Sequence, residues 1–244
     1  VSMILRLEEV TKSLAGKVIV GPITLDFATA TTTVLLGPKG AGKSTLLRLF
    51  AGLERPDSGR VLVDEVALDD GSIQGIRRKI GYTVAEGALF PHLTVLENVT
   101  LRLRHARISP AMIDRRLNEL AHLFRISPEG LRRYPHQLSS WQKIRVATAR
   151  ALMPDPSILL FDDVLGAFDR LSRAYVLGQL SELLRNLNKT VVWVTHDMNE
   201  ALHLADHAVL MINGRLAQRG HLIDLIDNPV DVRVKKFMRA EQLF

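Results

Sequence analysis

Two kinds of hydrophobic periodicity alternate along this chain. Apolar residues recur at strand-like spacing over Ile4–Val10 and Val18–Phe27, which predicts two strands of an antiparallel edge. Helical spacing predicts a helix at about residues 43–53, one at about 170–187 and one that begins at Met198. Further short strands are predicted at residues 32–36, 60–63, 79–84, 157–161, 190–195, 208–212 and 216–218.

The segment from Thr94 to about Leu152 is predicted to be mostly helical. Proline interrupts it at residues 109–110, 127–128 and 134–135, because proline does not continue a helix that precedes it. The pattern as a whole predicts the α/β fold class and a single domain over residues 1–244. That domain has a core of about residues 1–88 and 153–244 and a helical insertion of about residues 89–152.

Positive charge is concentrated in this helical insertion. Residues 90–150 carry a net charge of +7, whereas the rest of the chain sums to −1. A basic module in a nearly neutral body suggests contact with an anionic partner, such as a membrane surface or nucleic acid. A solvated arginine-rich helix face is an equally good interpretation, because nucleic-acid binders interleave aromatic residues and this segment has few.

Composition excludes several classes of protein. Hydrophobic residues make up 47% and charged residues 24% of the 244 residues, which is ordinary for a globular protein and argues against disorder. Cysteine is absent, so disulfides, thiolate metal sites and cysteine nucleophiles are excluded. No apolar run approaches the roughly 20 residues that cross a bilayer. We therefore expect a cytoplasmic chain without a membrane span of its own.

A glycine-rich turn joins the predicted strand at 32–36 to the predicted helix at 43. Its sequence, GPKGAGKST at residues 37–45, fits G-x-x-x-x-G-K-[ST]. Glycines let successive N–H groups point at phosphate oxygens, and the helix N-terminus adds partial positive charge. Lys43 would reach the β- and γ-phosphates, and Ser44 would ligate Mg²⁺. Backbone or hydroxyl contacts to the phosphates are expected from Gly37, Pro38, Lys39, Gly40, Ala41, Gly42 and Thr45.

Two strand ends carry further candidate residues. The strand at 157–161 runs into Asp162, which would hold Mg²⁺ through its water shell, and Asp163, which would polarise the attacking water. His196 follows the strand at 190–195, and from there it could contact a γ-phosphate. A solvated histidine that caps the next helix is the alternative interpretation of His196.

The order and spacing of these motifs resemble those of ABC transporter ATP-binding subunits over nearly the whole chain. The remaining family motifs appear as LSSWQ at 138–142, GAFD at 166–169 and THD at 195–197. The resemblance implies a P-loop NTPase with a RecA-like core, an antiparallel β edge and an inserted α-helical subdomain, which uses ATP and Mg²⁺. The wording at residues 77–82, 88–94 and 228–231 is most similar to importers of glycine betaine and related osmoprotectants.

The resemblance also implies partners. A second cassette, identical or different, would pair head to tail with this one, so that Ser139 of one subunit faces the ATP of the other. Transmembrane permease subunits would dock on the helical insertion, which places the chain at the cytoplasmic face of a membrane. No nucleic-acid partner is expected.

Several positions depart from the family pattern. The SALD segment usual in the family reads GAFD at 166–169, so that Gly166 stands in place of the serine and Asp169 is retained. Among the other departures, four bear directly on the nucleotide. Leu14 stands where an aromatic residue normally stacks on adenine, which should lower adenine affinity by about 1 kcal/mol. Ala85 stands where a glutamine normally touches Mg²⁺ and the attacking water. Trp141 replaces the second glycine of the LSGGQ signature, and we expect its indole to obstruct the approach to phosphate. Asp163 stands where the family normally has a glutamate base. The aspartate side chain is shorter, which should slow proton transfer.

Three functions follow from the sequence. The leading hypothesis is an ABC transporter subunit that binds Mg·ATP and couples slow hydrolysis to solute transport, with Lys43, Asp163 and His196 acting on the reacting phosphate. The second is a catalytically silent subunit that uses ATP structurally or as a regulatory signal beside another cassette. A nucleic-acid ATPase ranks last, because such proteins carry two cassettes or a long extra insertion.

Overall fold

The computed structural model describes residues 3–242. Their strands are β1 (Met3–Leu14), β2 (Lys17–Ala28), β3 (Thr32–Leu36), β4 (Ser58–Val63), β5 (Val66–Ala67), β6 (Ile80–Val84), β7 (Ile158–Asp162), β8 (Thr190–Val194), β9 (His207–Ile212) and β10 (Arg215–Gly220). Their α-helices are α1 (Lys43–Phe50), α2 (Ile73–Arg78), α3 (Val95–His105), α4 (Pro110–Leu123), α5 (Pro128–Leu131), α6 (Ser140–Leu152), α7 (Arg170–Asn186), α8 (Met198–Leu204), α9 (Leu222–Asp227) and α10 (Val232–Gln242). Short 3₁₀ turns cover Ala85–Ala88 and Pro135–Gln137.

Every predicted strand is found, with bounds that shift by a few residues at the ends. The predicted helix at 43–53 is confirmed but ends at Phe50, and Gly52 then adopts a left-handed conformation with φ +63°. Helix α2 and strand β5 were not predicted from the sequence. Helix α2 has six residues, of which only Ile76 is buried, so it shows no amphipathic period.

The strands form two sheets. A four-stranded antiparallel sheet has the order β2-β1-β4-β5, and a six-stranded sheet has the order β10-β9-β3-β8-β7-β6. In the larger sheet, β6, β7, β8, β3 and β9 run parallel, and β10 returns antiparallel to β9. The carboxyl ends of β3, β6, β7 and β8 therefore meet at one edge, where α/β proteins bind their ligands.

Strands β7 and β8 run through the centre of the molecule and are buried along their whole length. Their side chains alternate between two hydrophobic cores. Phe161 and Trp193 face the core that also contains the apolar faces of α3, α4 and α6, whereas Leu160 and Val192 face the core built on α1 and the smaller sheet. The strand ends are thus held from both sides.

The helical segment after Thr94 is interrupted at the prolines, as the sequence predicts. Pro110 and Pro128 each occupy the first turn of a helix, α4 and α5, where no backbone donor is lost. Helix α3 begins with a capping box, in which Thr94 and Glu97 exchange side-chain and backbone hydrogen bonds. No helix among residues 3–242 is long and apolar enough to cross a membrane.

Candidate nucleotide site

The glycine-rich loop after β3 closes around the Lys43 ammonium. Lys43 Nζ donates to the carbonyl oxygens of Gly37 at 2.6 Å and Pro38 at 2.9 Å, and the side chain is buried. Gly42 precedes α1 with φ +90°, and a Cβ there would lie 2.6 Å from the carbonyl oxygen of Ile19. Glycine is therefore required at this position both by conformation and by space. Of the other loop residues, Pro38, Lys39 and Gly40 are exposed, whereas Ala41 and Thr45 are buried.

The Asp162 carboxylate accepts hydrogen bonds from two hydroxyl groups beside this loop. Ser44, at the start of α1, donates from its hydroxyl to Oδ1 of Asp162 at 2.7 Å. Tyr82 in β6 donates from its hydroxyl to Oδ2 of the same carboxylate at 2.9 Å. Burial, followed by the charge of Asp162, raises the pKa of Tyr82, so it remains a neutral donor. A serine hydroxyl beside a fixed carboxylate fits Mg²⁺, which prefers oxygen ligands and takes few from the protein.

Asp163 and His196 lie side by side at the ends of β7 and β8. Oδ1 of Asp163 is 3.4 Å from Nδ1 of His196, and both side chains are half-buried. The Asp163 backbone has φ +49°, a left-handed conformation that turns the chain out of the strand. A Cβ on Gly166 would come within 2.7 Å of Oδ2 of Asp163, so this glycine makes room for the carboxylate.

The loop after β6 carries Ala85 and packs against helix α6. Ala85 is exposed at the start of the 3₁₀ turn, directly after the strand end that pairs with Asp162. Arg150 of α6 donates to the carbonyl oxygens of Gly87 at 2.8 Å and Ala88 at 2.9 Å. The loop that begins at the sheet edge is therefore fastened to the helix that begins at the LSSWQ segment.

Trp141 lies in the first turn of α6. Ser139 caps α6 by accepting from the Gln142 N–H, and its own N–H donates to the Gln142 side chain at 2.9 Å. The Trp141 indole is half-buried against the core, and the Arg145 guanidinium lies 5.7 Å from its ring centre. Arg145 is one turn further along α6, so these two side chains lie on the same face of the helix. The expected obstruction of the approach to phosphate by this indole stays a prediction.

The structure brings most of the predicted residues to one edge. It joins Ser44 to Asp162 and Asp163 to His196, and it folds Lys43 onto the glycine-rich loop. Leu14 and Ser139 lie on other elements, at the tip of the β1–β2 hairpin and at the start of α6.

Two residues with polar contacts near the edge were not predicted, Tyr82 and Glu200. Tyr82 could have been found as the polar residue in a parallel strand beside β7. Glu200 could have been found as an acidic residue three positions after Asp197, which begins the following helix.

Comparisons with known proteins identify the family of this chain. A family model described as "ABC transporter" matches residues 20–166. The chain is 37% identical over 240 residues to the glycine betaine/carnitine/choline transport ATP-binding protein OpuCA of Bacillus subtilis, covering 98% of this chain and 63% of that protein. It is 39% identical over 236 residues to the probable sulfate/thiosulfate import ATP-binding protein CysA of Chlorella vulgaris, covering 97% of this chain and 99% of that protein.

A solved structure shares the fold. The dimeric ATP-binding cassette MJ0796, in a post-hydrolysis state bound to ADP and Pi, superposes with a TM-score of 0.77 at 32% sequence identity, covering 89% of this chain and 98% of that one. The geometry, the family model and these relatives lead to one conclusion: the chain belongs to the ABC transporter family, as an ATP-binding subunit that resembles those of osmoprotectant importers.

Proposed function

We propose that this chain binds Mg·ATP at the carboxyl edge of its larger sheet and couples slow hydrolysis to solute import. The observation that carries the proposal is the contact between Ser44 and Asp162, at 2.7 Å, beside the glycine-rich loop. Residues 118 positions apart in the sequence place two hard oxygen donors together, next to an ammonium and a helix N-terminus. That combination suits a metal-bound polyphosphate.

The loop residues bind and orient the phosphates. The N–H groups of residues 37–45 and the N-terminus of α1 supply donors, and Lys43 exchanges its contacts with loop carbonyls for contacts with β- and γ-phosphate oxygens. Ser44 and Asp162 would hold Mg²⁺, which when bound neutralises charge on the phosphates. Tyr82 holds the second oxygen of Asp162, so the carboxylate keeps one orientation.

Asp163 and His196 act at the γ-phosphate end. Asp163 accepts a proton from the attacking water, and His196 contacts the γ-phosphate from the neighbouring strand end. The aspartate arm is shorter than that of the glutamate usual in the family, and Ala85 offers no side-chain amide to the water. Both differences weaken the placement of water, and for this reason we propose slow turnover.

The partners follow from the family. We propose a second cassette that completes the site through a Ser139-bearing helix, and permease subunits at the cytoplasmic face of a membrane that receive the basic helical insertion. The relatives differ in solute, since one is named for glycine betaine, carnitine and choline and another for sulfate and thiosulfate. The chain spans 63% of the length of the OpuCA relative. An osmoprotectant is our proposed solute, on the wording of residues 77–82 and 88–94.

Nucleotide binding and turnover of the purified chain test the proposal. A fluorescent ATP analogue gives the dissociation constant with and without Mg²⁺, and phosphate release gives kcat. We expect saturable binding and slow turnover that Lys43→Ala abolishes. Lys235→Ala removes an exposed lysine of α10 and serves as the matched control, with both properties unchanged.

Each outcome has a definite meaning. Absence of nucleotide binding in the parent chain would overturn the proposal. Lys43-dependent binding without turnover, alone and with a second cassette, would replace hydrolysis by the role of a silent ATP-bound subunit. Turnover that survives Lys43→Ala would indicate a contaminating ATPase.

A further inference from the structure

A buried carboxylate lies directly behind the loop that carries His196. Glu200, on the first turn of α8, is 1% exposed, and its Oε2 accepts a hydrogen bond from Nε1 of Trp193 at 2.7 Å. Trp193 is fully buried in β8 and packs on Phe161 of β7, with ring centres 4.8 Å apart. Glutamate is rarely buried this completely. The hydrogen bond to this carboxylate comes from an uncharged donor, so burying its ionised form costs free energy of folding.

The residue that carries this carboxylate also bounds the loop between β8 and α8. The Thr195 hydroxyl, also fully buried, lies beside the Glu200 carboxylate, whose pKa it lowers, and it accepts from the Asp197 N–H at 3.0 Å. Asp197 accepts from the Glu200 N–H at 3.3 Å and caps the helix. Residues 195–197 are therefore tied at both ends, and His196 is the residue between the ties.

Neighbouring elements add charge to this arrangement. Arg173 of α7 donates to Oδ2 of Asp197 at 2.6 Å and to the carbonyl oxygen of Phe168 at 2.9 Å. Burial, together with the charge of Asp197, raises the pKa of Glu200 to about 7, although the Trp193 and Thr195 side chains and the Arg173 charge lower it. A change in the Glu200 carboxylate therefore alters its hydrogen bond to Trp193 in β8 and the surroundings of the Thr195 hydroxyl, which directly precedes His196.

We propose that Glu200 is a positioning residue for His196, which it holds towards Asp163 and the γ-phosphate by tying residues 195–197 to the Trp193 indole. The inference rests on the proposed function, because it requires His196 to act on bound ATP. Glu200 itself touches neither nucleotide nor metal, and its effect passes through the loop.

A double-mutant cycle separates positioning from general stability. Glu200→Ala, His196→Ala and the double variant are compared by kcat and KM for ATP, because residues that act through one another give non-additive effects. We expect Glu200→Ala to lower kcat about tenfold when His196 is present and less than about twofold when it is absent, with KM changed by less than about threefold. Glu182→Ala, which removes an exposed glutamate of α7, is the control. Equal losses of kcat in both backgrounds would overturn the proposal.

Glu200→Gln keeps the test valid if the alanine variant folds poorly. Its amide oxygen still accepts from Trp193, so kcat should remain within about threefold of the parent. The chain has two tryptophans, so Trp141→Phe leaves Trp193 as the sole tryptophan emitter. In that background we expect the Trp193 emission of Glu200→Ala to differ from that of the Glu200 chain, and that of Glu200→Gln to stay close to it, because only the alanine variant loses the acceptor of the indole N–H.

A Glu200→Gln variant that keeps the emission of the parent but loses as much kcat as Glu200→Ala would overturn the proposal. A parent chain without Lys43-dependent turnover would instead overturn the proposed function. The two failures are therefore distinguishable.

Discussion

Gly166 provides the space into which the Asp163 carboxylate turns. A Cβ at residue 166 would lie 2.7 Å from Oδ2 of Asp163, which is closer than carbon and oxygen approach without a bond. The family pattern has a serine at the position of Gly166 and a glutamate at that of Asp163. The two positions are in contact, so the conformation of the shorter acid at residue 163 depends on the absence of a side chain at residue 166.

Gly166→Ala should therefore displace the Asp163 carboxylate. We expect kcat for ATP to fall by about tenfold or more, since a misplaced base loses much of its contribution, while nucleotide binding at the glycine-rich loop stays unchanged. Phosphate release and fluorescent-nucleotide titration measure the two effects. Gly75→Ala is the control, because a Cβ there meets nothing within 4 Å. Equal behaviour of the two variants would contradict the prediction.

Asp163→Glu should raise turnover by restoring the longer arm at the base position. The double variant with Trp141→Gly should turn over faster than the parent in the assembled complex, because it restores both the longer acid and a signature position without a Cβ. Trp141→Gly alone should lower Tm, since a half-buried indole leaves the core. Steady-state kcat of both single variants and the double variant checks this. If the double variant shows no gain, the slow turnover is caused by Ala85 or by a missing partner.

Tyr82→Phe removes the donor that fixes Oδ2 of Asp162. The carboxylate then keeps only its contact with Ser44, so we expect the Mg²⁺ concentration for half-maximal turnover to rise several-fold and the free energy of unfolding to fall by about 1 kcal/mol. Mg²⁺ titration of turnover and urea unfolding provide the two measurements. Tyr175→Phe makes the same chemical change at a residue that is 65% exposed on α7. An unchanged Mg²⁺ requirement in Tyr82→Phe would show that Ser44 alone holds the carboxylate.

Leu14→Tyr should strengthen ATP binding. Leu14 lies at the tip of the β1–β2 hairpin and is 44% exposed, so an aromatic ring fits there without disturbing the core. Stacking on adenine should add about 1 kcal/mol, or about fivefold in the dissociation constant. Val18→Tyr, at a neighbouring position that is 58% exposed, is the control. Fluorescence titration measures the dissociation constants of both variants for ATP. Equal gains in affinity would argue against a specific adenine contact at residue 14.

Glu200→Gln should change how stability depends on pH. The folded-state pKa of Glu200 is about 7, above the ordinary 4.5, so between these values the folded chain binds more protons than the unfolded chain. The contribution of Glu200 to the free energy of unfolding is therefore complete below pH 4.5 and is lost as pH rises through 7. Relative to the parent, Glu200→Gln should gain stability across this window, up to about 3 kcal/mol above pH 7.

Urea unfolding of both chains at about pH 5.5, 6.5, 7.5 and 8.5 measures this difference across the titration of Glu200. A difference that is constant with pH would mean that Glu200 does not titrate in the folded chain. Glu182→Gln should show no pH-dependent difference, because that side chain is exposed.

The sequence by itself determined the elements and the phosphate-binding motif. Strand-like apolar runs, proline breaks and a glycine-rich turn are local signals, and each specifies backbone conformation within a few residues. Residues 37–45 predicted a glycine-rich turn between a strand and a helix, and the structure has that turn between β3 and α1. The contacts of Lys43 with the loop carbonyls were not predicted. The order of five motifs was sufficient to indicate the family, because order along the chain needs no knowledge of packing.

Only the tertiary structure decided which side chains meet at the sheet edge. Tyr82 reaches Asp162 because β6 and β7 pair in parallel register, and Trp193 reaches Glu200 because α8 folds back over β8. The direction of the Trp141 indole likewise depends on Arg145 and on the core beside it. Such contacts are set by strand order, register and packing between distant segments, and hydrophobic periodicity does not encode which polar side chain lies opposite another.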